Sequence, residues 1–320
     1  MENDPEALAG LEPPEQLPVI AICAVGKTSA IAARHLRDRG IEALTLAGGM
    51  RAWGLAWNTA DVPISDPEVE VVQVRRTGKG CLSYIVGSAG EAVVIDASVD
   101  PQVYIRVAAE RNWKIVATLD THVHADHLSR SKPLSESGDG KLYFPAQDRV
   151  SFHFSPLGDS DAIEFGRAKL SVIRTPGHTE ESNCYQLNDR VLFTGDTLFL
   201  DSVGRPDLAA DGEETGRRAR LLHQSLLGLR NMSPDTIILP GHTGKPVAFD
   251  KKPLFKNLAA VIADVEVFSM TEDEFVHGVV QRMPPTPRNH LRIIQLNEAG
   301  VIPRAEQADL EAGANRCSIS

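Results

Sequence analysis

The sequence predicts an α/β fold with sheets inside and helices outside, and three observations carry that reading. Apolar runs at 71–74, 82–86 and 91–96 precede a helical stretch at 101–111 and another apolar run at 113–119. Elements in that order pack as a layered α/β sandwich. Further apolar runs at 170–174, 185–187, 191–193 and 236–239 extend the series. Four of these runs leave through a turn into a side chain able to bind a metal, and function gathers at such strand exits.

Taken in order, residues 1–16 are rich in Pro and Glu and read as a loose tail. A front unit follows at 17–60. It has a strand at 17–22, a loop from Cys23 to Thr28, a helix at 29–39, a strand at 41–46 and a turn into a short helix at 48–53. In the helix, Ile31, Ala32, His35 and Leu36 recur at helical spacing, Thr28 or Ser29 can cap its start, and Gly40 marks its end. Pro63 and Pro67 mark 61–68 as a linker, and the second domain runs from 69 to 320. Within it the strands at 71–74 and 82–86 pair around Gly78 and Gly80, and 152–170 holds turns and a hairpin.

The chain has 320 residues, 42% of them hydrophobic, and a net charge of -10, which argues against a general nucleic-acid surface. No apolar run approaches the roughly 18 residues a membrane helix needs. Met1 to Glu6 is acidic and lacks the basic and apolar regions of a secretion signal. Cys23, Cys81, Cys184 and Cys317 are scattered without a disulfide framework. These features fit a cytoplasmic protein with reduced thiols, which does not partner nucleic acid or membrane. A homo-oligomer is compatible with them.

The densest chemistry lies in Thr121-His122-Val123-His124-Ala125-Asp126-His127. On a strand, His122 and His124 would point the same way because side chains alternate. A helix beginning at Asp126 would swing its carboxylate and the His127 imidazole toward the same point. His178 follows the 170–174 run, Asp196 the 191–193 run, and His242 the 236–239 run. Imidazoles and carboxylates are ligands for zinc, iron or manganese. His35, His153, His223, His277 and His290 lack such context and read as structural or surface residues.

The HxHxDH run with His178 in Gly-His-Thr, Asp196 in Thr-Gly-Asp and His242 in Pro-Gly-His resembles the metallo-β-lactamase superfamily over about 69–250. The resemblance implies a four-layer αββα sandwich. In two-metal members His122, His124 and His178 hold one ion, Asp126, His127 and His242 the other, and Asp196 bridges. The Gly204-Arg205-Pro206-Asp207 element, with the segments 270–275 and 284–289, is similar to the persulfide dioxygenases. That likeness implies one Fe(II) per chain on His122, His178 and Asp196, with His124, Asp126, His127 and His242 orienting these ligands. Asp126 joins the catalytic set, Arg205 steadies an anionic substrate, and Asp207 holds Arg205 through a bidentate pair. The implied partners are a small thiol persulfide such as glutathione persulfide and dioxygen, with sulfite as product. Glu180-Glu181 and Thr243-Gly244-Lys245 depart from the family near the expected pocket. The alternative is a hydrolase of thioesters using two Zn(II), such as hydroxyacylglutathione hydrolase.

In the front unit, 21–28 matches a phosphate loop loosely but lacks its first glycine. The stronger reading starts from Cys23, at a strand end before a helix N-terminus, where amides and Lys27 favour a thiolate. With Gly48-Gly49-Met50-Arg51-Ala52-Trp53, this resembles the second half of a rhodanese-like sulfurtransferase domain, and implies Cys23 as a sulfur-carrying nucleophile.

Overall fold

The computed structural model describes residues 8, 10–12, 17–313 and 315–319. The expected loose tail at 1–16 therefore lies largely outside the described residues. In the front unit, β1 (Val19–Ala21), α1 (Lys27–Asp38), β2 (Ala43–Thr45) and α2 (Gly49–Leu55) follow one another. The two strands pair in parallel, with Val19 opposite Ala43. Helix α1 covers one face, where Ala33 and Leu36 meet Ala43, Val19 and Ile41.

The expected linker is not a linker over its whole length. β3 (Trp57–Val62) is the edge strand of the first large sheet, antiparallel to β4 (Glu70–Arg76), with Val62 opposite Val71. Ala60 and Val62 face inward while Asp61 faces water, which is the alternation of a half-buried strand. Pro63, which cannot donate to a ladder, ends it.

β4 continues into β5 (Leu82–Ser88), β6 (Glu91–Ile95), α3 (Pro101–Glu110), β7 (Lys114–Leu119), α4 (Ser131–Glu136), β8 (Lys141–Pro145) and β9 (Ser155–Leu157). β3 to β9 form one seven-stranded sheet in sequence order, antiparallel up to β6 and parallel from β6 onward. The second sheet has the order β10 (Ala162–Phe165), β11 (Ala168–Arg174), β12 (Asn183–Leu187), β13 (Val191–Gly195), then β15 (Ile237–Pro240) and β16 (Lys256–Asn257). Between β13 and β15 come β14 (Val203–Gly204) and the long helix α5 (Gly212–Arg230), a crossover that makes β13 and β15 parallel. Helices α6 (Leu258–Asp264), α7 (Glu272–Gln281), α8 (His290–Ala299) and α9 (Gln307–Leu310) lead to β17 (Ser318–Ile319), which pairs with β14.

The sheets pack face to face. Val71, Leu82, Tyr84, Val93 and Leu119 meet Phe165, Leu170, Tyr185, Phe193 and Leu239 in one buried core. The outer faces are also covered: Val72, Val74 and Val94 pack on Val103, Tyr104 and Val107 of α3, and Leu192 and Ile238 pack on α5, α6 and α7. Strands buried on both faces need apolar residues at nearly every position, which is why these runs are so continuous in the sequence. No helix among the described residues is long and apolar enough to cross a membrane.

Arg76 joins the front unit to the sandwich. Its buried guanidinium donates to the Gly54 and Ser98 carbonyls and pairs with Glu311 at 2.9 Å. Glu311 in turn accepts the Leu128 N–H and pairs with Arg130, beside the histidine loop.

Candidate metal centre

The histidine run lies on a loop rather than on a strand and a helix. β7 stops at Leu119, and α4 does not begin until Ser131. Asp96, at the exit of the neighbouring β6, accepts the Thr121 N–H at 2.7 Å and its hydroxyl at 2.9 Å. That carboxylate takes the chain out of the ladder. From above, Asn297 of α8 clamps the loop, its amide N–H groups donating to the His124 and His127 carbonyls at 2.8 Å each. Glu181, part of the unusual Glu-Glu pair, accepts the Val123 N–H at 3.0 Å while paired with Arg149.

His122, His178 and Asp196 converge. His122 Nε2 and His178 Nε2 lie 3.9 and 3.6 Å from Asp196 Oδ2. Hydrogen bonds do not reach that far, but an ion with bonds of about 2.1 Å fits between atoms so spaced. The tautomers agree. The Thr121 hydroxyl is committed to Asp96, so it accepts from His122 Nδ1–H at 2.9 Å. The Arg205 carbonyl can only accept, so His178 Nδ1–H donates to it at 2.8 Å. Each ring thereby turns an unprotonated Nε2 inward. His122 Nε2 and Asp196 Oδ2 are buried without a hydrogen-bond partner among the described residues, an arrangement that costs about 1–3 kcal/mol per group unless something satisfies it. Burial holds both imidazoles below their usual range, His122 far below, so they are neutral and ready to bind a cation. This donor set fits a metal ion.

Tight packing puts these groups in place. Gly204 lies so close to the Asp196 carbonyl that a Cβ there would overlap it, so β14 can pass directly beneath the site. The parallel β13 and β15 shift register between Phe193 and Gly195, which sets the exits carrying Asp196 and His242 side by side.

A second group forms next to the first: Cys81, Asp126, His127 and His242 bring one donor atom each within 4.8 Å of the others. Its contacts are those of groups bound to one another. His242 Nδ1 is 2.5 Å from Asp196 Oδ1 and its Nε2 makes an ion-pair contact of 2.8 Å with Asp126 Oδ2. His127 Nδ1 is 2.9 Å from Asp126 Oδ1. Burial alone would lower His242, but Asp126 and Asp196 outweigh it and raise its pKa well above the usual value. His127 is likewise raised to about 10 against burial, chiefly by Asp126. His124 stands apart with Asp96 and Asp120. Its Nε2 is 3.3 Å from Asp96 Oδ1, its Nδ1 is buried with no hydrogen-bond partner among the described residues, and its ring centre is 4.2 Å from both the His122 and the His127 rings.

Arg205 does not reach out to a substrate. It is fully buried, and Nε and Nη2 hold Asp207 in a bidentate pair at 2.6 and 2.7 Å. Its remaining N–H groups go to the carbonyls of Pro284, Pro285 and Arg316. All five donors are therefore spent inside the protein, and Arg205 and Asp207 brace the site instead of lining it. Cys23 sits in the front unit, its sulfur receiving N–H groups from Gly26 at 3.1 Å and Ser29 at 3.4 Å. The Ser29 hydroxyl and amide, with the Val25 amide and the Thr28 hydroxyl, bring its thiol down to about 6. Cys81, Asp96, Asp120, Asn297 and Asn315 take part in the centre without having been singled out from the sequence. Asp96 and Asp120 carried the common signal, a carboxylate at the exit of an apolar strand.

Curated relatives and solved structures resemble the chain. A 28% identical protein of Aquifex aeolicus, uncharacterized, aligns over 54% of this chain and 89% of its own length. Hydroxyacylglutathione hydrolase of Rhizobium johnstonii is 34% identical over 36% of this chain, which spans about half (46%) of that enzyme. A Staphylococcus aureus metallo-beta-lactamase superposes with TM-score 0.66 and 26% identity, over 73% of each chain. ETHE1 from Myxococcus xanthus does so with TM-score 0.63 and 25% identity, over 71% of this chain and 97% of its own. The model of the metallo-beta-lactamase superfamily matches residues 76–242, more than half of the 320, and spans every ligand described above, so the chain belongs to that superfamily.

Proposed function

We propose that the chain is an iron-dependent dioxygenase that oxidises a small thiol persulfide, glutathione persulfide foremost, to sulfite. One observation carries the proposal: two imidazoles and one carboxylate stand at ion spacing, while the other candidate ligands are engaged with one another. Two histidines and a carboxylate on one face are the ligand set of non-haem Fe(II) oxygenases. An iron held by His122, His178 and Asp196 would supply open positions for the persulfide sulfur and dioxygen. In the overall change, dioxygen takes four electrons from the terminal sulfur, water provides the third oxygen, and the thiol leaves with a proton.

The chain's own groups prepare that centre. Thr121 and the Arg205 carbonyl fix the two imidazole tautomers, and Asn297 and Glu181 hold the loop. The likeness of 204–207 and of the tail segments 270–275 and 284–289 to persulfide dioxygenases supports the substrate class. We further propose that Cys23, its thiol favouring the thiolate, carries sulfur in a rhodanese-like front unit, and that the protein works in the cytoplasm. A second reading, hydrolysis of a thioester by two zinc ions, is favoured by the similarity to hydroxyacylglutathione hydrolases.

Metal analysis of protein from iron-supplied cells, combined with an oxygen electrode, separates the two. About one iron per chain, with oxygen uptake only in the presence of a persulfide, is the expected result. Two zincs, thioester cleavage and no oxygen uptake would replace it with the hydrolase. Asp196→Ala should abolish turnover, whereas Cys23→Ser should keep oxygen uptake.

A further inference from the structure

Five Lys and Arg side chains among the described residues are buried: Arg75, Arg76, Lys79, Arg130 and Arg205. Four of them have carboxylate partners, Arg75 in Asp250, Arg76 and Arg130 in Glu311, and Arg205 in Asp207. Lys79 is the exception. It is only 6% exposed, yet it makes no ion pair or hydrogen bond with any described residue. A lysine so enclosed is almost always paired. An ammonium with three unspent N–H donors calls for an acceptor from outside the fold.

The backbone holds Lys79 in this position. It ends the turn 77–79 between β4 and β5, and that turn is fastened on both sides. The Thr77 N–H donates to the Ala56 carbonyl, and the Gly80 N–H closes the turn on the Arg76 carbonyl at 2.8 Å. Gly78 lies so close to the Trp53 indole of the front unit that a Cβ there would overlap it. Just beyond Lys79, the Thr243 N–H donates to the Gly80 carbonyl, and Cys81 bridges to His242.

The Lys79 charge is felt at the metal centre. Burial lifts the Cys317 thiol well above its usual range, Asp126 and Asp196 add to that, and His242 and Lys79 oppose it. Cys317 also packs on Ala125, within the histidine run. The ammonium thus stands in the surroundings of the same sulfur as the carboxylates of the centre. Those carboxylates have other partners: Asp126 meets His127, His242, Cys81 and Asn315, and Asp196 meets His242. Arg205, the cation that the sequence offered to an anionic substrate, has its donors spent elsewhere.

We propose that Lys79 is a specificity-determining residue that binds a carboxylate of the substrate thiol, such as those of glutathione, through charge-assisted hydrogen bonds. The proposal rests on the reading of a glutathione-type persulfide as substrate. It assigns to Lys79 the anchoring role that Arg205 does not fill.

The test measures binding apart from turnover. The full-length protein, Lys79→Met and Lys79→Gln are titrated by calorimetry with glutathione, the thiol that turnover would release, and with its diethyl ester, whose carboxylates are masked. Glutathione should bind both variants about 10–100-fold more weakly than wild type, as expected for a lost hydrogen bond to a charged group. The ester should bind all three proteins alike. Both variants should melt at or above the wild-type temperature, because an unpaired buried charge has been removed. A lower Tm in both would show that the ammonium has a partner inside the fold and would overturn the proposal. Equal affinity of glutathione for the three proteins, or no binding to any, would overturn it as well, and oxygen uptake with a persulfide would then leave the dioxygenase reading standing. Glutathione binding that depends on Lys79, with no oxygen uptake from any persulfide, would keep the role of Lys79 and sink the dioxygenase.

Discussion

Replacing Arg205 with Met separates a bracing role from a substrate-binding one. The substitution keeps much of the buried volume and removes every donor. It leaves Asp207 without its bidentate partner and the carbonyls of Pro284, Pro285 and Arg316 without N–H groups. Breaking a buried ion pair by removing one member costs about 3–5 kcal/mol. Asp207 keeps 18% of its side-chain exposure, so water can solvate it in part and the lower half of that range applies. For a domain of this size each kcal/mol moves Tm by roughly 2–4 °C, so a fall of roughly 6–16 °C is expected by calorimetry. The His178 tautomer depends on the carbonyl of residue 205, not on its side chain, so the folded variant at low temperature should keep its KM within about threefold. If Tm stayed within a degree of wild type while KM rose tenfold or more, the guanidinium would be touching substrate and the bracing account would be wrong.

Two further outcomes follow from the same geometry. Thr121→Val keeps the shape of the side chain but removes the hydroxyl linking His122 to Asp96, so metal affinity measured by chelator competition should fall about 10–100-fold, and an unchanged value would discard the tautomer argument. Alkylation of Cys23 by iodoacetamide, followed by peptide mass spectrometry, should be half-maximal near pH 6. Below that pH the thiol is protonated and slow, above it the thiolate reacts, and Ser29→Ala should move the midpoint upward. A midpoint in the ordinary thiol range would show that the Ser29 contacts do not act on this sulfur.

Much of the centre was legible because each ligand follows an apolar strand and sits in a short turn. His122, His178, Asp196 and His242 needed only that pattern, and the layered fold followed from the same runs. What misled was local geometry. The alternation of His122 and His124 suggested a strand, yet the carboxylate of Asp96, 25 residues earlier, pulls Thr121 into a loop. The prolines at 63 and 67 suggested a linker, while Ala60 and Val62 already belonged to a sheet. Arg205 looked available because spacing says nothing of burial, and its partners come from 284–285 and 316. Cys81 and Asn315 stand in no motif, and only a folded chain brings residues so distant to one carboxylate.

The contacts of Arg76 have a practical consequence for anyone trimming the protein. With its carbonyl acceptor at Gly54 gone, a shortened chain starting in β3 would leave a desolvated cation short of one acceptor and tied to Glu311, whose other oxygen steadies Leu128 next to His127. Excising the front unit would thus disturb the histidine loop some 50 residues after Arg76, and lost turnover in such a fragment would say little about sulfur relay. Single-atom changes at Cys23 keep that scaffold whole and are the sounder way to ask what the front unit contributes.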